Sequence, residues 1–486
     1  MKRIFFLHFF LFLGLWVQAQ PQRQAQPQSG TGTVHILAVN DMHAAIERFP
    51  QFAAVVDSLR TLYPDLLLVS AGDNRTGNPI NDVHAVPSKP MVDLMNVVGF
   101  NYSALGNHEF DGGIDGLRSV INNSNCRYLC ANMVAPDSLR LHTDPFALVE
   151  RNGISIGLLG LVQSNPYTGL PDAHPKLFGP LQFRPVNQVA PTYAWMRNVC
   201  DVFILLTHNG FEDDIKLASV MPEVDVIIGG HTHTRVDPCR MEGNVMITQA
   251  ERFLKYATLV TLTVQDGKVV DKQATLIDVL HYPTRVAAVQ AMVDSFSNDQ
   301  TLQRVLTQAT NPFACKEELG CLMADAMRQE AQADIAVQNS GGVRYDTKEA
   351  GAFTVNDVYR LDPFGNEMVV FNLTGEEMER MLAAICRADD YGPAYVSGIA
   401  YTIHLGADNR DVKNVSITLP DGSHFDRKRT YRVVMSSYVA TVSDYEKEDE
   451  GTNLFLVVSD GIIHFLSRQP SVDYLGVSRV TIKTGL

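Results

Sequence analysis

Residues 34–43 read VHILAVNDMH, a short run rich in Val, Ile and Leu that stops at two residues able to bind a metal, Asp41 and His43. The same design recurs along the first half of the chain. DLLLVSAG (65–72) stops at Asp73, YSALG (102–106) at Asn107 and His108, DVFILLT (201–207) at His208, and VDVIIGG (224–230) at His231, with His233 close behind. A sixth run, ISIGLLGLV (154–162), has no such ending. Runs this short and apolar suit strands buried on both faces. Between them, FPQFAAVVDSLRTLYP (49–64) and KPMVDLMNVVGF (89–100) space apolar residues three and four apart, the helical period. Strand–helix alternation predicts an α/β domain with a largely parallel core. In such sheets, sites form at the carboxyl ends of the strands.

A lone histidine after a strand is more often a satisfied loop residue than a ligand. Five coincident strand ends do not fit that account. The residue types also suit one another. Asp73 can bridge two cations, imidazoles suit zinc, iron or manganese, and Asp and Asn oxygens are harder ligands that widen the choice of metal. Two divalent ions roughly 3.5–4 Å apart can clamp a phosphoryl group and generate hydroxide. A set without thiols argues against purely structural zinc.

The chain has 486 residues, too many for one ordinary core. Its formal net charge of −14 opposes general binding of nucleic acid polymers, which needs a basic face. The opening MKRIFFLHFFLFLGLWVQAQ joins a basic start, an apolar run over 4–17 and the small-residue pattern VQA at 17–19. That is the pattern of a signal peptide over 1–19, followed by a disordered lead-in, QPQRQAQPQSGTG, over 20–32. No later segment is apolar for long enough to span a membrane. The expectation is an exported protein, periplasmic or extracellular. The seven cysteines form no zinc-type pair, and an odd number leaves at least one without an intramolecular partner. Most read as small buried residues. Cys126–Cys130 and Cys315–Cys321 are the two candidates for a local disulfide.

With these residues in hand, NDMHA (40–44), AGDNRTG (71–77), GNHEFDGG (106–113), THNG (207–210) and GGHTHT (229–234) resemble, in order, the five blocks of the calcineurin-like metallophosphoesterases. The pattern looks most like the exported 5′-nucleotidase branch of that family. The resemblance implies a four-layer αββα sandwich holding two divalent ions, zinc, manganese or similar. It places Asp41, His43 and His233 on one ion and Asn107, His208 and His231 on the other, with Asp73 bridging. It implies that His108 is not a ligand but a catalytic histidine beside the phosphoryl group, oriented by Asp111. A paired carboxylate favours the imidazolium. Glu109 receives no family role and reads as a solvated residue or one that supports the ligand loops from outside, and Ala44 stands where the family usually has glycine.

YPTRVAAVQAMVDSFSNDQTLQRVL (282–306) reads as a helical connector. The remainder resembles the 5′-nucleotidase C-terminal domain, a smaller α/β domain that holds the nucleoside. The expected boundaries are 33–281 for the metallophosphoesterase domain, 282–306 for the linker and 307–486 for the substrate-binding domain. The resemblance implies that NSGGVR presents Asn339 and Arg344 to the substrate and that DPFGN presents Phe364 to one face of the base. It makes Tyr445 the candidate second aromatic and Asp444 the candidate acidic contact, both in SSYVATVSDYEKED (436–449). Without the family, a Phe beside Pro is more often core packing and an Arg more often a surface ion pair. Two departures stand out. Cys315 occupies the place of a family arginine, with Lys316 beside it, and the family's GGDG[FY] loop is absent.

The expected function is hydrolysis of small-molecule nucleotides by attack of a metal-bound hydroxide on phosphorus. A UDP-sugar hydrolase and a 2′,3′-cyclic nucleotide phosphodiesterase use the same kind of metal site and are the enzymatic alternatives. A non-catalytic binding protein on this scaffold would be marked by a lost ligand or a lost His108, and every one of those positions is filled. Oligomeric state is not encoded in any of these motifs.

Overall fold

The computed structural model describes residues 30–484, apart from 167, 297–299, 389–391, 407–410, 422 and 424. The expected signal peptide and all but the end of the lead-in lie outside the described residues.

All six apolar runs are strands, and each helical pattern is a helix, Phe49–Leu62 and Lys89–Val98. Gly99, at φ +81°, ends the second helix in the left-handed conformation that glycine adopts without strain. The strands Gly32–Val39, Leu67–Ser70, Tyr102–Ala104 and Arg127–Leu129 pair in parallel. Two antiparallel strands, Tyr256–Gln265 and Lys268–Asp278, extend that sheet beyond Gly32–Val39. A second sheet has a parallel centre of Ile154–Val162, Val202–His208, Val226–Gly229 and Val245–Thr248, with antiparallel edges Phe146–Arg151 and Arg240–Glu242.

Alternation along each strand sorts its side chains to opposite faces. Ile36, Ala38, Leu67 and Val69 share one buried cluster with Ile156, Leu158, Ile204 and Leu206 of the second sheet, so the two sheets face each other. Leu37, Val39 and Leu68 turn outward onto the helices Phe49–Leu62 and Lys89–Val98. Leu159, Leu161, Phe203 and Leu205 turn outward on the far side, against Leu217 and Ala218 of the helix Phe211–Val220. The layers are therefore helix, sheet, sheet, helix, with the central parallel strands buried on both faces.

The helix Ala287–Phe296 packs Val289 and Val293 against the cluster around Phe49 and Phe52. Beyond it, a five-stranded sheet in the order Tyr395–Ser397, Ile335–Gln338, Thr430–Ser436, Glu367–Thr374 and Thr452–Val457 is flanked by the helices Lys316–Glu330, Gly375–Ala388 and Val458–Ser467. Ile80 touches apolar clusters of both halves of the chain.

All seven cysteines are free, and neither candidate disulfide forms. Cys126 and Cys130 flank the strand Arg127–Leu129. Four residues of extended chain span about 13 Å, beyond the reach of a disulfide. Cys315 precedes the helix Lys316–Glu330 and is exposed, whereas Cys321 is buried within it.

Candidate active site

The sequence-predicted ligands converge at the carboxyl ends of the two facing sheets. Donor atoms of Asp41, His43 and His233 all lie within 4.8 Å of one another, as do those of Asp41, Asp73 and His208 and those of His43, Asp73 and His108. His43 Nε2 is 3.0 Å from His233 Nε2, and Asn107 Oδ1 is 3.1 Å from both His208 Nε2 and His231 Nδ1. His208 Nε2 approaches Asp73 Oδ2 to 3.1 Å. The first trio is the set the resemblance placed on one ion, and the contacts of Asn107 gather the set placed on the other.

The backbone is bent to achieve this. Asp41, His43, Ala44, Asp73, His231 and His233 all have φ between +44° and +83°. This left-handed conformation costs a non-glycine residue about 1–2 kcal/mol, and such strain gathers at functional sites. Hydrogen bonds hold the bends. Asp41 N–H donates to the Gly72 carbonyl, His43 N–H to the Asp73 carbonyl and Ala44 N–H to the Asn74 carbonyl, all at 2.9–3.0 Å. Ala44 takes φ +50°, a conformation that glycine would adopt without strain. Gly106 is required, because a Cβ there would lie 2.2 Å from Asp73 Oδ1.

Outer contacts fix the rings. His43 Nδ1 lies 3.0 Å from the Thr76 carbonyl and His208 Nδ1 2.8 Å from the Ala71 carbonyl. With the proton on Nδ1, either ring in its neutral form turns a lone pair on Nε2 toward the cluster. Burial and the nearby Arg344 guanidinium hold His43 well below the usual histidine range. Burial also brings His233 down to about 4 despite Asp41, so both rings are ready ligands. Burial opposes charge on His208 too, but the Asp73 and Asp41 carboxylates raise it to about 10. A cation binding there must displace that proton. Burial alone would raise Asp73, yet His208, His108 and His43 hold it well below the usual carboxylate range. This mixture of neutral imidazoles, ionised carboxylates and an amide oxygen fits two divalent cations.

His108 faces the cluster differently. Its Nδ1 lies 2.7 Å from Asp111 Oδ2, and its Nε2 stays 3.9 Å from the nearest Asp73 oxygen. Its own N–H donates to Asp73 Oδ1 at 2.8 Å.

Two residues from the far half of the chain reach this point. Arg344 Nη2 is 2.9 Å from His43 Nε2, and the Phe364 ring stacks on the His108 ring at 5.6 Å between centroids. Arg344 also lies over the Phe364 ring at 5.5 Å. A cleft with roughly 1170 Å³ of open space runs from Asp73, Asn107 and His108 to Asn339, Arg344, Phe364, Asn366 and Tyr438. Tyr445 and Asp444 are not among its lining residues. The helix Ser437–Val442 brings Tyr438 to the cleft, whereas Tyr445 packs on the cluster around Phe371 and Met378, with Lys447 4.6 Å from its ring centroid.

Two residues here make contacts that no motif assigned. Buried Glu109 accepts the backbone N–H groups of Asp73, Asn74 and Gly106 at 2.6–2.9 Å, joining two ligand loops. Asp172 accepts from Asn107 Nδ2 at its carbonyl, and its carboxylate lies 3.5 Å from His231 Nε2. Glu109 sits inside a quoted motif, so its neighbours were the available signal. Asp172 lies in a loop with no pattern to mark it.

Fold and donor set together define a dimetal phosphoesterase. Residues 34–235 match the family model of the calcineurin-like phosphoesterases, and residues 289–445 match that of the 5′-nucleotidase C-terminal domain. The chain carries a calcineurin-like phosphoesterase domain followed by a 5′-nucleotidase C-terminal domain, and it is a metal-dependent phosphoester hydrolase that works with two divalent ions. It is 26% identical to protein UshA of Yersinia enterocolitica over 79% of each chain. It is also 26% identical to a 5′-nucleotidase of Vibrio cholerae, over 78% of this chain and 77% of that one. Its fold matches the crystal structure of a 5′-nucleotidase precursor from Thermus thermophilus with a TM-score of 0.81 at 22% identity, covering 93% of this chain and 99% of that one. Among the described residues, no helix is long and apolar enough to cross a membrane.

Proposed function

We propose that this protein is an exported 5′-nucleotidase, with a catalytic domain over 33–281, a linker over 282–306 and a substrate domain over 307–486. The observation that carries the reading is the meeting of Arg344 and Phe364 with His43 and His108, which sets a phosphate-binding fork and an aromatic platform against the metal cluster. The nucleotidases named above support it. The N-terminal signal-peptide pattern supports export.

Asp41, His43 and His233 would hold one ion and Asn107, His208 and His231 the other, with Asp73 shared. Bound there, the two ions supply Lewis acidity, which acidifies water and neutralises phosphoryl oxygens. The protein's own groups do the rest. Arg344 presents a planar fork suited to two phosphoryl oxygens. Asn339 lines the same end of the cleft. Phe364 supplies one face for the base, and Tyr438 supplies a second aromatic wall. As water oxygen bonds to phosphorus and releases a proton to solvent, the P–O5′ bond breaks and His108 gives its Nε2 proton to O5′, the imidazole then regaining a proton from solvent. Nucleoside and inorganic phosphate result. Asp111 holds the imidazole in register and stabilises its charge.

The test is phosphate release from AMP, UDP-glucose and 2′,3′-cyclic AMP by the metal-reconstituted protein, with a coupling phosphatase for the last two. Chelated protein and a His108→Ala variant serve as controls. AMP is expected to be the best substrate, with turnover lost in both controls. Two bound metals with no AMP turnover would overturn the reading.

A further inference from the structure

Asp362 follows the helix Val355–Leu361, is 3% exposed and lines the cleft. The Phe364 N–H donates to its carboxylate, closing the turn that carries the Phe364 ring. Its Oδ2 has no hydrogen-bond partner among the described residues. Gln338, which lines the same cleft, ends the strand Ile335–Gln338, is equally buried, and has an Oε1 that also lacks a partner among the described residues. Buried acceptors are almost always satisfied, and an orphan calls for an explanation. Two orphan acceptors lining one cleft are explained by a ligand that brings donors.

We propose that Asp362, with Gln338, is a specificity-determining residue that accepts hydrogen bonds from donors on the non-phosphate part of the substrate. This rests on the nucleotidase reading above. A nucleotide offers such donors in two places, the ribose hydroxyls and the N–H edge of a base, of which guanine has the fullest. Burial pushes the Asp362 carboxyl up to about 7, and only the Phe364 N–H acts against it. A donating ligand would supply the stabilisation that the protein itself withholds from the carboxylate. A site with buried acceptors also discriminates sharply, because an analogue without the donor leaves them unpaired.

The alternative is that Asp362 only folds the turn beneath Phe364. Asp362→Asn separates the two roles, since the amide oxygen can still accept the Phe364 N–H while the charged acceptor is lost. The experiment measures kcat/KM of the metal-loaded wild type and Asp362→Asn for AMP, GMP, 2′-deoxy-AMP and 3′-deoxy-AMP. Calorimetric binding of guanosine and adenosine provides a second readout, and thermal melting confirms that the variant folds. The expected loss is about 10- to 100-fold for the substrate that carries the recognised donor, the range for a hydrogen bond to a charged group. A loss on GMP alone identifies the base edge, and a loss on AMP that one deoxy analogue escapes identifies the sugar. Equal loss on all four substrates, or no loss on any, overturns the proposal. A wild type that cleaves none of the four with both metals bound overturns the nucleotidase reading and this inference together.

Discussion

The ring of Phe364 stacks on the imidazole of His108, with 5.6 Å between centroids and 21° between planes. The contact joins the second half of the chain to the group proposed to protonate the leaving oxygen. It also isolates a prediction, because stacking matters only to a substrate that carries a base. Phe364→Ala is expected to lower kcat/KM for AMP by about 5- to 100-fold, the worth of one stacked base. Hydrolysis of ribose 5-phosphate, which has no aromatic ring to stack, should change far less. Equal losses on both substrates would mean that Phe364 acts through His108 rather than on the base.

Asp111 holds His108 Nδ1 at 2.7 Å and is not a member of any of the metal-binding groups of the cluster. Asp111→Asn therefore spares the metals and disturbs the imidazole. A positioned proton donor typically contributes about 10²- to 10⁴-fold. The variant should lose kcat within that range, with metal content by atomic absorption still at two per chain. A variant that loses metal along with activity would move Asp111 from orienting the imidazole to supporting the metal site.

Much of this site was legible because strands buried on both faces leave a plain mark, an apolar run that stops at a residue able to bind a metal. Asp41, Asp73, Asn107, His208 and His231 could be placed at sheet ends before any coordinates, since parallel strands must all end on one edge. What could not be read depends on distances between segments far apart in sequence. Glu109 looks like a solvated neighbour of His108 until the loop of Asp73 and Asn74 closes over it. Tyr445 and Tyr438 lie seven residues apart with similar surroundings in sequence. Only the short helix Ser437–Val442, which turns Tyr438 to the cleft and returns the chain to the core, tells them apart.

Glu109 yields a prediction about assembly of the site. Its two oxygens receive three backbone N–H groups from the loops that carry Asp73 and Asn107. Each buried donor left unsatisfied costs about 1–3 kcal/mol. Glu109→Ala should destabilise the fold by several kcal/mol. Outer-contact losses also typically weaken metal affinity about 10- to 100-fold. Denaturant melts and competition with a chelator measure the two effects. Full metal affinity in a destabilised variant would limit Glu109 to the fold.

Asp362 ties stability to pH in a direction opposite to the usual buried, paired carboxylate. Burial raises its pKa from 3.8 to about 7. Between those values the unfolded chain releases the proton while the folded chain keeps it, so stability falls as pH rises through the window and levels off above about 7. Asp362→Asn removes the titration while leaving an acceptor for the Phe364 N–H. Comparing variant with wild type cancels the other groups that titrate in this range. The gain in stability from Asp362→Asn should therefore be larger at pH 8 than at pH 5, by at most about 2–3 kcal/mol. Saturating nucleoside should shrink that difference in the wild type's favour, because a ligand that donates to the carboxylate lowers its pKa. A gain independent of pH would mean that the Asp362 carboxylate is already stabilised in the empty cleft, and its unpaired Oδ2 would then need a partner other than substrate.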